Sequence, residues 1–460
     1  MAKLQLAALL LFLLLALGNS DNPASPPGTI AIPPTPQRAG DPAAGYEYLL
    51  YGDMVGRGIP LAVFRQVSGG DSPDDLGRSG DSQGIPFQFN VVEAPGGVKV
   101  VAPTCLNCHA EKLNGTLVVG LGNNTSDHTY DHAGNFRAAD FAVQLRFGKK
   151  SPEWEAYFPL SRGYKAVGPY IQTKVRGPNP ADKIFAALAA HRNADDLSWL
   201  PEAQFEVPVE VVPTDVPAWW LLKKKHALYY NGLGTGDFAR LSSASGMLVM
   251  ADSAEARRID EKMVDLIAWI RTIEPPAYPF PVDAALAEQG KLLFEKTCKK
   301  CHGNYGDDAS YPNLVVKLDI VGTDSMLAQA YRQYPEYTEW YNRSWYAQGP
   351  HGAELRPTWG YVAPPLDGVW ATAPYLHNGS VPTIADLLNS PQRPVFWKRS
   401  FDNSDYDAEK LGWNYTTASK QKDGETYDTT LPGYGNGGHT FGDKLSPEER
   451  KAVLEYLKTL

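Results

Sequence analysis

The stretch Gly290-Lys-Leu-Leu-Phe294-Glu-Lys-Thr-Cys298-Lys-Lys-Cys301-His302-Gly303 decides how the rest of the chain is read. Two thiols three residues apart on one turn can bond the two vinyl groups of one porphyrin. The histidine that follows then offers an imidazole nitrogen to the iron. The same unit occurs again as Cys105-Leu-Asn-Cys108-His109, and the two units use all 4 cysteines of the chain. A zinc site would need two further ligands for each pair, and a thioredoxin-type pair has no reason to place His directly after its second Cys. The expectation is two covalently bound c-type haems, held by Cys105, Cys108, Cys298 and Cys301, with His109 and His302 as iron ligands.

The 460 residues are 43% apolar and 21% charged, a globular composition with room for more than one core. Lys plus Arg is 43 and Asp plus Glu is 52, so the net charge is −9. That balance argues against nucleic acid or an anionic membrane as the main partner, since both need a concentrated basic face. Residues 1–20 read as a secretory signal: Lys3, an apolar run from Leu4 to Leu17, then small residues at Gly18 and Ser20. No later stretch approaches the length of a membrane span. The mature chain is therefore expected without one, in the periplasm or secreted.

The two halves read as an internal duplication. Leu266-Ile-Ala-Trp269-Ile270-Arg-Thr-Ile273 and Val453-Leu-Glu-Tyr456-Leu457-Lys-Thr-Leu460 share one pattern, each at a similar distance after its CxxCH unit. Ile259, Met263, Leu266, Ile267 and Ile270 recur at helical spacing, and Ser446-Pro447-Glu448-Glu449 carries the signals of a helix start. Pro275, Pro276, Pro279 and Pro281 interrupt any helix between the halves. The division expected is a signal at 1–20, an irregular leader at 21–45, an N-terminal haem domain at 46–274, a linker at 275–282 and a C-terminal haem domain at 283–460.

Gly290 and Phe294 before the CxxCH, with an aromatic-bearing helix closing the chain, resemble the class I cytochrome c fold. That resemblance implies a mainly α protein of two cytochrome c-like haem domains with long irregular loops. The segment Pro364-Pro365-Leu-Asp-Gly-Val-Trp370-Ala-Thr-Ala-Pro374-Tyr375-Leu-His377-Asn-Gly379-Ser380-Val-Pro382-Thr383 resembles bacterial di-haem cytochrome c peroxidases and the related enzyme that matures methylamine dehydrogenase. With the ending Gly438-His439-Thr-Phe-Gly442, the likeness is greatest to the RoxA-like rubber oxygenase-like branch, although this chain looks shorter than the rubber-cleaving members.

The resemblance implies a division of labour between the haems. The C-terminal haem transfers electrons, and the N-terminal haem keeps an open or weakly held face where dioxygen or peroxide is activated. His439 is the preferred sixth ligand of the C-terminal haem, because glycines around it allow close backbone approach to a porphyrin and because it precedes the closing helix. His377 is the competitor, read as bonding to backbone or to a haem propionate, and Met326 is a third option read as core. Arg356 and Arg393 are candidates for propionates. For the first haem the histidines at hand are His128, His132, His191 and His226, the last beside a lysine run read as a solvated face. One of Trp219 and Trp220, without a choice between them, is expected to line its pocket, and such aromatics could also relay electrons. Of the carboxylates, Glu111 falls on the proximal side, and Glu202, Glu206 and Glu210 would have to return from a Pro- and Val-rich stretch. The function expected is a haem-dependent oxidoreductase, oxygenase or peroxidase, acting on dioxygen or hydrogen peroxide with an organic substrate or redox-partner protein. The alternative is a di-haem electron carrier.

Overall fold

A computed structural model describes residues 26–67 and 72–460, so the signal read at 1–20 lies outside the described residues. No described helix is long and apolar enough to cross a membrane.

The crossing expected at Gly290 and Phe294 is present. Asp283 caps a helix from Ala284–Thr297 by accepting hydrogen bonds from the Ala285 and Leu286 amides. This helix crosses Pro447–Leu457, which starts with a capping box between Ser446 and Glu449. A Cβ on Gly290 would run into the Ala452 carbonyl, so the helices touch backbone to backbone there. Phe294 then meets Tyr456 with ring centroids 5.3 Å apart.

The N-terminal half repeats this device with other residues. The helix Ser253–Ile270 buries Ile259, Met263, Leu266, Ile267 and Ile270, as the periodicity requires. Pro42–Tyr51, capped by Asp41, crosses it, and Gly45 presses on the Asp265 carbonyl as Gly290 does on Ala452. This helix begins inside the stretch read as an irregular leader. In the same stretch Thr29–Ala31 forms a strand with Leu314–Lys317 of the C-terminal half, and Arg38 pairs with Asp237 and Asp260, each at 2.7 Å.

The expectation of a mainly α protein built from two cytochrome domains is overturned: the fold is mixed α/β with several small sheets. Phe89–Ala94 pairs with Val98–Pro103 across Gly96-Gly97, and Ala110–Leu113 pairs with Thr116–Val119 across Asn114-Gly115. Both turns are hairpin signatures, the first between two valine-rich runs, so β-structure separates elements that are adjacent in the second half. Two further sheets draw strands from both halves, Thr29–Ala31 with Leu314–Lys317 and Gly234–Gly236 with Ala353–Leu355. One large apolar cluster likewise runs from Leu49 to Ala363. The halves are thus interleaved, and the proline segment 275–282 lies packed on the C-terminal half, where Tyr278 meets Trp370 at 5.3 Å.

Candidate functional site

Both CxxCH units fold into the same turn. The His109 amide donates to the Cys105 carbonyl at 3.0 Å and the His302 amide to the Cys298 carbonyl at 3.1 Å. All four thiols are unpaired. Burial pushes Cys105 up to about 12 and Cys298 up to about 11, and it raises Cys108 and Cys301 as well. These are the reverse of the low-pKa thiols of redox pairs and thiolate metal sites. Among the described residues no cluster of three or more His, Cys, Asp or Glu forms a metal cage.

The second turn opens onto a cavity with a largely apolar lining. Cys298, Cys301 and His302 lie on its lining, as do Phe294, His377 and His439. His302 Nδ1 donates to the Pro364 carbonyl at 2.8 Å. A carbonyl only accepts, so the proton sits on Nδ1 and the Nε2 lone pair is left for a metal. Burial holds His302 below its ordinary pKa and lowers His439 to about 3, so both imidazoles are neutral at physiological pH.

His439 sits opposite His302, with ring centroids 6.2 Å apart and planes at 63°. Metal–imidazole bonds are about 2.0–2.1 Å, and two imidazoles on opposite sides of one metal then have centroids about 6.3 Å apart. The observed spacing fits one iron between them. Nδ1 of His439 is buried without a hydrogen-bond partner, and so is Nδ1 of His109. The glycines do something other than expected. A Cβ on Gly438 would collide with the Gly322–Thr323 backbone, so the close approach is to that turn rather than to a porphyrin face.

The other candidates separate clearly. His377 is buried on the lining, but its ring stacks on Tyr361 with centroids 4.0 Å apart, and burial drives its pKa to about 3. Met326 lines a different cavity, with Lys183 and Glu210. Arg393 donates to five backbone carbonyls, those of Asp386, Leu387, Asn436, Gly438 and His439, which leaves no donor for a propionate. Arg356 is exposed and pairs with Glu354.

At the first turn, His109 stacks on Trp219 with centroids 4.8 Å apart at 22°. Gly120 places the tryptophan there: its amide donates to the His109 carbonyl and its carbonyl accepts from the Trp219 amide, both at 2.8 Å. Trp219 therefore lies beside His109 itself. Trp220 points elsewhere, into the core of the C-terminal half, where Nε1 donates to the Asp367 carbonyl at 2.8 Å. Burial lowers His109 to about 4. No second histidine ring pairs with His109, among the described residues, as His439 does with His302. His132, His191 and His226 bond through their rings to the carbonyls of Asp127, Leu200 and Ile32. His128 is packed against His132. Glu111 is buried and accepts from Thr125. Glu202, Glu206 and Glu210 are exposed, and Glu210 lines the separate cavity that holds Met326 rather than the one beside Cys298 and Cys301.

Sequence reasoning missed three features of this region. Asp215 lines the cavity and accepts from Tyr230 Oη at 2.5 Å, and Lys225 lines the same wall, although its run reads as a solvated face. Arg393 was considered for a different task. An Arg in a loop carries no local signal that it will gather five carbonyls.

A family described as "RoxA-like, cytochrome c-like" matches residues 360–398, the span that supplies Tyr361, Pro364, His377 and Arg393. The cytochrome c-like character implies haem binding and marks a haem-containing oxidoreductase. Within that class the matched segment is RoxA-like. The chain is also 28% identical over 317 residues to the uncharacterized protein y4iM of Sinorhizobium fredii, covering 60% of this chain and 71% of that one. A second protein of the same organism, the uncharacterized protein y4iJ, is 47% identical over 112 residues, covering 22% of this chain and 18% of that one.

Proposed function

We propose that this protein is an exported di-haem c-type cytochrome oxidoreductase of the di-haem peroxidase superfamily, in its RoxA-like branch. In this reading the haem held by His109 activates dioxygen or peroxide, and the haem held by His302 and His439 transfers electrons. The periplasm or the extracellular medium is its location, and an organic substrate or a redox-partner protein is its counterpart. One observation carries the proposal. Two histidine rings flank the cavity beside Cys298 and Cys301, while His109 has a tryptophan on its ring and, among the described residues, no second histidine opposite. Such asymmetry suits one six-coordinate centre and one centre with room for a small ligand.

When bound, haem supplies redox chemistry and activation of small oxidants; the chain's part is to position, tune and insulate it. Pro364 orients His302 through Nδ1, and the loop held by Arg393 presents His439. Trp219 fixes the plane of His109 by stacking. Pro217, Ala218 and Leu221, from the same segment as Trp219, lie on the wall of the second cavity. This run touches both sites. The resemblance of the ending Gly438-His439-Thr-Phe-Gly442 to RoxA-like proteins leads this reading toward dioxygen rather than peroxide.

The test is spectroscopic. Pyridine haemochrome should count two covalent haems per chain, and EPR of the oxidised protein should give one high-spin and one low-spin centre. Addition of peroxide to the oxidised protein should change the high-spin signal, and addition of dioxygen to the reduced protein should change its optical spectrum. Two unreactive low-spin centres would leave only an electron carrier.

A further inference from the structure

Lys223, Lys224 and Lys225 follow one another at the boundary between the halves. Lys223 is 2.6 Å from the Glu274 carboxylate. Lys224 is 2.6 Å from Asp367 and sits over the Tyr305 ring at 4.8 Å. Both charges are matched. Lys225 differs: it is half-buried, it lines the cavity between His302 and His439, and its side chain has no ion pair or hydrogen bond among the described residues. Burial alone pushes its ammonium down to about 8, with no carboxylate acting against that.

A half-buried cation on the cavity wall with no partner among the described residues favours an anion in the space it faces. The protein's own carboxylates on this lining are engaged. Asp215 accepts from Tyr230, and Asp367 holds Lys224. The other lysine on the lining, Lys300, is exposed and stands between the two cysteines, where a bound porphyrin would be joined through its vinyl groups. The carboxylates of a c-type porphyrin leave the ring away from those thioether bonds and must meet other segments of the wall. Arg393 is fully used by carbonyls.

We propose that Lys225 is the binding residue for a propionate carboxylate of the haem held by Cys298 and Cys301. This rests on the haem reading above. It assigns to the N-terminal half a direct contact with the cofactor of the C-terminal half.

The test uses the full, haem-loaded chain and the variants Lys225→Gln and Lys225→Arg. Pyridine haemochrome comes first. Fewer than two haems in the unmodified protein would sink the haem reading itself, and this assignment with it. With two haems present, two measurements report on Lys225 alone: the propionate bending band in resonance Raman spectra and the midpoint potential of the low-spin haem. Lys225→Gln should shift the band and lower the potential, because loss of a nearby positive charge favours the ferric form. Lys225→Arg should shift the band, since the donor changes, and hold the potential, since the charge does not. If Lys225→Gln fails to load haem, the arginine variant carries the test. An unmoved band in a fully loaded variant overturns the assignment.

Discussion

Arg393 and His439 are joined through the peptide that presents the imidazole. The guanidinium donates to the Gly438 carbonyl at 2.7 Å and to the His439 carbonyl at 3.1 Å, on either side of His439. It also reaches Asn436 at 2.6 Å, Leu387 at 2.8 Å and Asp386 at 3.2 Å. His439 has φ of 46°, in the left-handed region that costs a residue with a Cβ about 1–2 kcal/mol. A loop in that conformation needs holding from outside, and a planar fork with five donors does so.

Arg393→Lys should therefore act on the iron at a distance. Lysine offers three donors without the fork, so at least two buried carbonyls lose partners, at a cost of about 3 kcal/mol. Urea denaturation measures that loss. EPR measures the positioning role: part of the low-spin signal should become high-spin with the haem count unchanged. A less stable protein with an intact low-spin signal would reduce Arg393 to a packing residue.

Replacing His439 with Ala removes the ring that faces His302 at 6.2 Å. The low-spin centre should become high-spin, and added imidazole should restore it. An unchanged optical and EPR spectrum would remove His439 from the ligand set and return His377, on the same lining, to consideration.

Gly290→Ala and Gly45→Ala test whether the duplicated crossings are equally tight. Each adds a Cβ that meets a carbonyl of the crossing helix, Ala452 in one case and Asp265 in the other. Overpacking at such points costs about 1–3 kcal/mol. Chemical denaturation of both variants should show similar losses. A neutral Gly45→Ala would mean that the N-terminal crossing has slack that the C-terminal one lacks.

Asp215 gives a pH dependence of definite sign. Burial raises its carboxyl to about 7, opposed by the hydrogen bond from Tyr230. The folded state therefore holds a proton that the unfolded state has released between about pH 4 and pH 7. Stability from this group is present below that window and is lost as pH rises through it, at up to about 1.4 kcal/mol per pH unit. Asp215→Asn removes that slope. Compared with the unmodified protein, the variant should gain stability steadily from pH 4 to pH 7 and hold the gain above. A difference independent of pH would show that Asp215 is ionised throughout.

Much of the local structure was legible because its causes are local. Gly290 and Phe294 predict a helix and its crossing partner, and the apolar spacing from Ile259 to Ile270 predicts the buried face that forms. The β-structure was also written in the chain, at Gly96-Gly97 between valine-rich runs and at Asn114-Gly115, but the cytochrome likeness of the second half drew the reading toward helix throughout. The N-terminal crossing was hidden for a related reason. Its helix, Pro42–Tyr51, is separated from Cys105 by a hairpin, whereas Ala284–Thr297 runs directly into Cys298.

What the sequence determined alone was the chemistry available: two identical turns pairing thiols with an imidazole, made by backbone hydrogen bonds within five residues. Which side chains answer those imidazoles is a different kind of fact. His439 lies 137 residues beyond His302, Trp219 lies 110 beyond His109, and Lys225 crosses from the other half. Side chains brought together over such separations share no local pattern. Their meeting depends on sheets and helix crossings that bury apolar surface elsewhere in the molecule, and so only the tertiary structure decided it.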